Sequence, residues 1–367
     1  MRVLKYLRQY FKPSPDAVTV EESQYVRDGV PLRAVIYKPR QVGRLAGGQV
    51  RRPAWVVLHG LTATGADHPS LKRFASALAA SGHVILIPEI VEWSKLHVMP
   101  SLTASTIEAA VDVLRSRDDV DPNRIGVFGF SFGATHAIAA AHKESLSNKI
   151  KAIVAWGGYS DLQRLVRFGL TGEHDGDGKT EKLDPDPYGR WMFGGNYLTQ
   201  IPGYEDMQRV QDALLELARQ AGRSGKFAGD PVHKPLIAKL AEPLNPNERE
   251  VYELFAPIGD HDFAKARVLA AKLGETIARV DPYMDPGQTF EQTRVPVLLA
   301  HGRDDRLVPY TESVRLQRRI PKDKLLDYTI TSLFSHSGGT EPGLGPIGLA
   351  RETTRFVQVL HKILNVL

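Results

Sequence analysis

Gly129-Phe130-Ser131-Phe132-Gly133 decides the fold, because it puts a serine between a predicted strand and a predicted helix. Residues 124–128 before it are typical of a buried strand, and the small residues at 134–141 favour a helix. In a nucleophile elbow, the serine adopts a strained backbone conformation and the glycines prevent collisions with the neighbouring strand and helix. The stretch therefore predicts a catalytic serine, and the alternative is a glycine-rich turn with a capping serine.

The composition excludes several classes of protein. The chain has 367 residues, 42% of them hydrophobic, which allows one large domain or two smaller ones. The net charge of +5 comes from 47 basic and 42 acidic residues that are scattered, so no nucleic-acid partner is expected. No window is apolar enough for a transmembrane segment. The absence of cysteine excludes disulfides and a cysteine nucleophile, and it fits an expected cytoplasmic location.

The first twelve residues predict a short amphipathic helix. Its expected apolar face consists of Val3, Leu4, Leu7, Tyr10 and Phe11, with basic residues opposite. The segment lacks the apolar stretch and cleavage site of a secretory signal. Either the helix packs on its own domain, or residues 1–12 make a peripheral contact with an anionic membrane or with a partner subunit. The sequence leaves open whether the chain forms a homodimer.

Strands and helices then alternate along the chain. Strands are predicted at 18–28, 32–38, 54–58, 84–87, 124–128 and 151–156, with a hairpin turn at Asp28-Gly29, helices at 69–81 and 101–117, and a turn at Asp121-Pro122-Asn123. Residues 162–290 contain no clear buried strand; a loop is expected at 172–187 and helices at about 204–221, 232–241, 246–256 and 261–279. The alternation resumes with strands at 295–300 and 326–332 and helices at 310–320 and 346–366.

This order predicts an α/β fold with a mostly parallel, doubly wound sheet of about eight strands. We expect an N-terminal helix at 1–17, a core at 18–161 and 291–367, and a helical cap insertion at 162–290.

A serine nucleophile needs a base that removes its proton and an acid that orients the base. Asp304 and Asp305 follow one predicted strand, and His336 follows the last. The carboxyl ends of strands are where open α/β sheets build their sites. The order Ser131, Asp305, His336 is that of α/β-hydrolases, which indicates a catalytic triad.

The chain resembles the α/β-hydrolase superfamily, in its esterase, dienelactone-hydrolase and prolyl-oligopeptidase-like branch. The resemblance rests on Asp121-Pro122-Asn123-Arg124-Ile125-Gly126 leading into the elbow, and it covers roughly 25–160 and 291–367 but not the insertion. In the family pattern H-G-x-x-D-x-x-V-P, here residues 301–309, the fifth residue is the acid, which implies Asp305. Asp304 remains the alternative, because a shift of one residue would exchange the two.

The remaining histidines have other expected roles. His136 and His142 on the helix after the elbow are expected to be structural, and His301 is expected to be a packing residue. His336, which follows the final strand, is therefore the predicted base.

The resemblance also implies an oxyanion hole. Its expected donors are the backbone N–H groups of Phe132 and Leu61. His59 and Gly60 would support the loop that carries Leu61, and Gly129 and Gly133 would support the elbow. The Phe132 side chain is expected to line a modest apolar acyl pocket.

The predicted reaction is hydrolysis of a small or medium carboxylic ester through an acyl-enzyme, with no cofactor and no metal. Residues 173–178 mimic a calcium loop but lack its spacing and terminal glutamate, so a solvated loop is expected there. The cap is expected to select the substrate, and six of its residues either line an acyl pocket or form the cap's own core: Trp191, Met192, Phe193, Tyr197, Tyr204 and Met207.

Three alternatives stay open. A peptidase or an acyltransferase would use the same triad, although the printed sequence has no propeller-length segment upstream, which favours the esterase. A non-catalytic binding module is the alternative of another class. Such modules usually lack a triad member, whereas all three are present in this sequence.

Overall fold

The computed structural model describes residues 1–40, 50–176, 178–333 and 344–367. Its strands are β1 Val18–Arg27, β2 Val30–Pro39, β3 Arg52–Leu58, β4 Val84–Pro88, β5 Val120–Phe130, β6 Ala152–Trp156, β7 Glu173–Gly176, β8 Lys179–Lys182, β9 Val297–Gly302 and β10 Leu325–Thr331. Its α-helices are α1 Arg2–Phe11, α2 Pro69–Ala80, α3 Val91–Ser94, α4 Thr103–Arg115, α5 Phe132–Ala140, α6 Glu144–Ser147, α7 Leu162–Thr171, α8 Pro187–Tyr197, α9 Gln208–Ser224, α10 Lys234–Ala241, α11 Pro246–Phe255, α12 Phe263–Val280, α13 Thr311–Arg319 and α14 Pro346–Asn365.

Eight strands form one sheet in the order β1-β2-β4-β3-β5-β6-β9-β10. Strand β2 runs antiparallel to both of its neighbours, and every other adjacent pair is parallel. All residues of β4, β6 and β9 are buried, because helices cover both faces of the sheet. The predicted α/β-hydrolase fold with a mostly parallel sheet of eight strands is confirmed.

The two faces of the sheet carry separate apolar clusters. Helices α1, α2 and α14 cover one face, where Phe74 and Leu360 belong to the same cluster as Phe128 of β5. Helices α4 and α5 cover the other face, and their cluster continues into the helices between β6 and β9. The segment between those two strands therefore shares its core with the sheet.

Helix α1 packs on its own domain. Tyr6, only 4% exposed, contacts the ring of Phe74 edge-on, and the Arg2 guanidinium donates a hydrogen bond to the Leu364 carbonyl at 2.6 Å. The predicted face is wrong at two positions, because Leu4 and Phe11 are 71% and 72% exposed. The packed face is made of Val3, Tyr6, Leu7 and Tyr10, which follow the helical spacing more closely. In the described part of the chain, no helix is long and apolar enough to span a bilayer.

The chain between β6 and β9 contains two helices that the sequence did not predict. The Asp161 carboxylate accepts the Arg164 N–H at 2.8 Å and starts α7. The Asp186 carboxylate accepts the Tyr188 N–H at 2.9 Å and starts α8, with Pro187 at the first helical position.

One other local prediction is wrong, and one turn lies within a strand. The loop expected at 172–187 contains the antiparallel hairpin β7–β8, so the solvated-loop interpretation of 173–178 does not hold for Glu173–Gly176. Residues 121–123 fall within the bounds of β5 but between its two stretches of pairing with β3, and the Asn123 N–H donates to Asp121 Oδ1 at 3.0 Å, so the expected turn lies inside this strand. Pro122 has no N–H to donate, and it is accommodated here because it lies where β5 does not pair with β3.

Candidate active site

Ser131 lies in a strained turn between β5 and α5. Its φ of 54° and ψ of −123° are rare for a residue with a side chain, and its N–H donates to the Trp156 carbonyl at 2.8 Å. A Cβ on Gly129 would overlap the Gly133 backbone, and one on Gly133 would lie 3.1 Å from the Leu58 Cβ. Position 129 therefore requires glycine, position 133 has little room for a larger residue, and the half-buried serine is held at the carboxyl edge of the sheet.

Phe132 is the first residue of α5, and the first amides of a helix have no acceptor within the helix. Its backbone is thus suited to donate to an anion. Its ring lies 5.0 Å from the Trp93 ring and 4.3 Å from the His136 ring, and the residue is only 6% exposed. The ring belongs to the core, and its expected place in the wall of a modest apolar acyl pocket stays a prediction.

The loop after β3 is fixed by the imidazole of His59. The Ile90 N–H donates to Nε2 at 2.9 Å, so Nδ1 carries the proton and donates to the Gly60 carbonyl at 2.8 Å. Burial lowers the pKa of His59, which keeps the ring neutral at pH 7. Both nitrogens are occupied by the backbone, so His59 holds the loop and is not available as a base.

The first turn of α8 contacts both loops that carry predicted site residues. The Tyr188 hydroxyl donates to the Leu61 carbonyl at 2.7 Å, and the Asp186 N–H donates to the Arg306 carbonyl at 2.7 Å. A Cβ on Gly189 would lie 3.2 Å from the Leu307 side chain. The sequence does not predict these contacts. The available signal was the Asp186-Pro187 pair, which is typical of a helix start.

The loop after β9 holds Asp305 inward and leaves Asp304 exposed. Asp305 is 1% exposed, and its Oδ1 accepts the N–H groups of Leu307 at 2.9 Å and Val308 at 3.0 Å. This geometry fixes the orientation of a carboxylate at the carboxyl end of a parallel strand. Asp304 points into solvent.

His301 stabilises the same loop from within the sheet. It is fully buried; its Nδ1 lies 2.6 Å from the Ser313 hydroxyl and its Nε2 lies 2.9 Å from the Val308 carbonyl. Since a carbonyl only accepts, Nε2 carries the proton, and Asp305 Oδ2 lies 3.4 Å from it. The residue predicted to be a packing residue also bonds the loop that carries the predicted acid.

A family model described as alpha/beta hydrolase fold matches residues 53–330. This chain belongs to the α/β-hydrolase family. A curated relative, the quorum-quenching protein AidA of Acinetobacter baumannii, is 28% identical over 144 residues, which are 38% of this chain and 43% of AidA. This α/β-hydrolase thus matches less than half the length of that relative.

Solved structures show the same fold at low identity. An acylaminoacyl peptidase of Pyrococcus horikoshii is 15% identical with a TM-score of 0.52, over 97% of this chain and 42% of the peptidase. A puromycin hydrolase is 14% identical with a TM-score of 0.53, over 96% of this chain and 39% of the hydrolase. At these identities the likeness concerns the fold of the α/β-hydrolase and not its substrate.

The predicted base of this α/β-hydrolase, His336, lies outside the described residues, which end at 333 and resume at 344. The two histidines expected to be structural are bonded locally: His136 Nε2 lies 3.0 Å from the Tyr159 hydroxyl, and His142 Nδ1 lies 2.5 Å from the Ala139 carbonyl. Burial lowers the pKa of His136 to about 3. It is therefore neutral, and its Nε2 is occupied by a core tyrosine.

The aromatic residues proposed for an acyl pocket form the core of the segment between β6 and β9. The Trp191 indole donates to the Phe255 carbonyl at 3.0 Å, and the Tyr197 hydroxyl donates to Asp281 at 3.0 Å. Four of the six residues are buried, namely Trp191, Met192, Phe193 and Tyr197, while Tyr204 and Met207 are half-buried and pack against them. They are core residues, as in the second alternative, but their cluster is continuous with the core on that face of the sheet.

Across the described residues, no group of three or more His, Asp or Glu side chains is arranged to hold a metal ion. Asp177, part of the calcium-like stretch, lies outside them.

Proposed function

We propose that this chain is a serine hydrolase that cleaves a carboxylic ester of a small or medium acyl substrate through Ser131, His336 and Asp305. The observation that carries the proposal is the φ of 54° at Ser131, between a buried strand and a helix N-terminus. Strain of this kind is retained where the surrounding structure needs it, and here it exposes a hydroxyl beside helix amides. The inward carboxylate of Asp305 supports the assignment of the acid.

In the proposed mechanism, Ser131 Oγ attacks the ester carbonyl carbon while His336 removes the hydroxyl proton, and Asp305 stabilises the imidazolium. The N–H groups of Phe132 and Leu61 bind the negative oxygen of the tetrahedral intermediate. The intermediate collapses, and the leaving alkoxide takes the proton from His336. Water then attacks the acyl-enzyme by the same steps in reverse, which releases the acid and regenerates Ser131.

We further propose that residues 162–290 act as a cap over the site. The first turn of α8 supports this, because it contacts the loop of Leu61 and the loop of Asp305 from the same side. A cover at this edge would exclude water and limit substrate size.

Labelling and turnover with Ser131→Ala test the proposed function. A fluorophosphonate should label the wild type, and nitrophenyl esters of increasing acyl length should be hydrolysed. Ser131→Ala should lose labelling and at least about a thousandfold in kcat/KM. Ser70→Ala is the matched control, since Ser70 is exposed on α2.

Aminoacyl nitroanilides belong in the same panel. Cleavage of esters alone supports the esterase, whereas efficient cleavage of anilides would show a peptidase. Absence of both turnover and labelling in the wild type would refute a catalytic function and leave the binding module.

A further inference from the structure

A basic cavity lies beside the loop that carries Leu61. Its volume is about 310 Å³, and its lining consists of Ala63, Ser94, Lys95, His97, Arg219 and Arg223. These residues come from three separate parts of the chain: the loop after β3, the end of α3 with the residues after it, and α9. Three of the six carry a fixed positive charge, and none is acidic.

The backbone that presents Lys95 and His97 is strained and firmly held. Leu96 between them has a φ of 65°, which is rare for a leucine, and its side chain is fully buried. The Asn196 amide of α8 donates to the Leu96 carbonyl at 3.0 Å and accepts the Val98 N–H at 3.2 Å. The neighbouring side chains are thereby directed to the cavity by an ordered turn.

The charges in the cavity are only partly compensated. Arg219 pairs with Glu216 one helical turn earlier, and Gln220 also donates to that carboxylate. Within the described ranges, neither Lys95 nor Arg223 forms a salt bridge; both are exposed, and the charge of Arg223 also helps to lower the pKa of Glu216. Like charges that converge repel each other unless an anion binds between them.

One further carboxylate, that of Glu89, contacts a residue of this lining. The Glu89 carboxylate lies behind Ser94, whose hydroxyl donates to it, and it also accepts the Ala66 N–H at 3.0 Å. Arg33 lies 3.8 Å from the same group. The negative charge of Glu89 is therefore already partly compensated by Ser94, Ala66 and Arg33.

The cavity adjoins the proposed oxyanion loop. Ala63 follows Leu61 by two residues, so their Cα atoms are at most about 7 Å apart. On α3, Trp93 contacts the Phe132 ring at 5.0 Å, while the next two residues line the cavity. On α9, a Cβ on Gly222 would lie 3.5 Å from the Ala63 nitrogen. A ligand of ordinary length could therefore reach both sites.

We propose that this cavity binds the anionic group, a carboxylate or a phosphate, of a substrate whose ester carbonyl lies at Ser131. Lys95 and Arg223 supply the unpaired donors, since guanidinium and ammonium groups bind such oxygens through charge-assisted hydrogen bonds. The inference rests on the proposed function for its substrate, and on the cavity alone for its anion site. The same basic groups could instead bind a free anion that is not part of the substrate.

Substrate selectivity tests whether the bound anion is part of the ester substrate. The 4-nitrophenyl monoester of adipic acid and 4-nitrophenyl hexanoate have the same chain length and differ by a terminal carboxylate. The wild type should prefer the charged ester, and the ratio of the two kcat/KM values should fall about three- to tenfold in Arg223→Gln and in Lys95→Gln. Lys226→Gln is the matched control, an exposed lysine outside the lining, and should leave the ratio unchanged.

Calorimetric titration of Ser131→Ala with inorganic phosphate tests the cavity without turnover. Binding should weaken in the added Lys95→Gln and Arg223→Gln substitutions but not in Lys226→Gln. Weakened phosphate binding with an unchanged ester ratio would assign the site to a free anion and overturn the substrate assignment. No phosphate binding and no change in the ratio would overturn both. If neither ester is hydrolysed, the proposed function fails and the titration alone decides the cavity.

Discussion

Ser131 and Asp305 are held by different means, although both lie at the carboxyl edge of the sheet. Backbone strain and the close approach of Gly129 to Gly133 fix the serine. Two backbone N–H groups and the nearby ring of His301 surround the aspartate. Asp304, beside Asp305 in the sequence, is exposed to solvent instead.

The two aspartates should differ sharply in their effect on turnover. Asp305→Asn should lower kcat for a nitrophenyl ester by about a hundredfold to ten-thousandfold, since an amide would favour the wrong tautomer of the base. Asp304→Asn should change it less than about threefold, because that side chain is exposed. Measured kcat values for the two variants, with folding checked by circular dichroism, give the comparison. A larger loss of kcat in Asp304→Asn than in Asp305→Asn would make Asp304 the triad acid.

The histidines of His59-Gly60 and His301-Gly302 stabilise the loops at two strand ends in a similar way. Each imidazole is buried, and each uses both nitrogens on the loop that follows its strand or on the residues packed against it. The sequence indicates a supporting role for His59 and a packing role for His301. It does not give the bonds, because these depend on Ile90 and Ser313 approaching from distant parts of the chain.

At the scale of elements, α8 connects the segment between β6 and β9 to the proposed site. Its first turn bonds the Leu61 and Arg306 carbonyls, and its middle is anchored by Arg190, whose Nε donates to the Phe255 carbonyl at 2.6 Å. Burial lowers the pKa of Arg190 to about 10. The helix is thus fixed at one end to the site and further along to α11.

Tyr188→Phe should disturb catalysis more than folding. Loss of its hydroxyl frees the Leu61 carbonyl, so the adjoining peptide can rotate and the proposed oxyanion donor is less well oriented. We expect kcat to fall about tenfold with KM nearly unchanged. The matched control is Tyr252→Phe, whose hydroxyl donates to the Ile237 carbonyl at 3.0 Å within the same segment. Equal losses of kcat in both variants would argue against a positioning role.

The sequence predicts most of the sheet and the proposed site because these depend on local patterns. Apolar runs such as Val84–Pro88 identify buried strands, and the Ser131 pentapeptide combines a strand, a turn and a helix. Helix α8 is not predicted from the sequence because it contains three glycines, which have low helix propensity. A Cβ on Gly194 would lie 2.6 Å from the Leu214 side chain, so this helix is stabilised by packing against α9.

At the scale of the whole molecule, buried histidines make the fold sensitive to acid. Burial lowers the pKa of His83 to about 4 and that of His136 to about 3, against about 6.5 in an unfolded chain. Between these values the unfolded chain binds protons that the folded chain does not. The free energy of unfolding is therefore greatest above about pH 6.5 and decreases as the pH falls.

His83→Gln should flatten that dependence. Each such histidine contributes a slope of up to about 1.4 kcal/mol per pH unit, so the loss for His83 between pH 6.5 and 4 is about 3 kcal/mol. Urea unfolding measured from pH 7 to 4 should show a smaller decrease in the variant than in the wild type. His361→Gln, an exposed change on α14, is the control. If the free energy of unfolding changes equally with pH in the wild type and both variants, His83 does not contribute to the acid sensitivity.

The contacts of Asp186 and Tyr188 also restrict how this chain can be recombined with its relatives. Strand β6 and strand β9 are neighbours in the sheet, so in principle the chain joining them could be exchanged as a cassette. However, its turn at Pro187 fits the particular paths of the backbone at Leu61 and Arg306. A chimaera that imports a foreign segment without those two loops would preserve the fold and misalign the groups around Ser131.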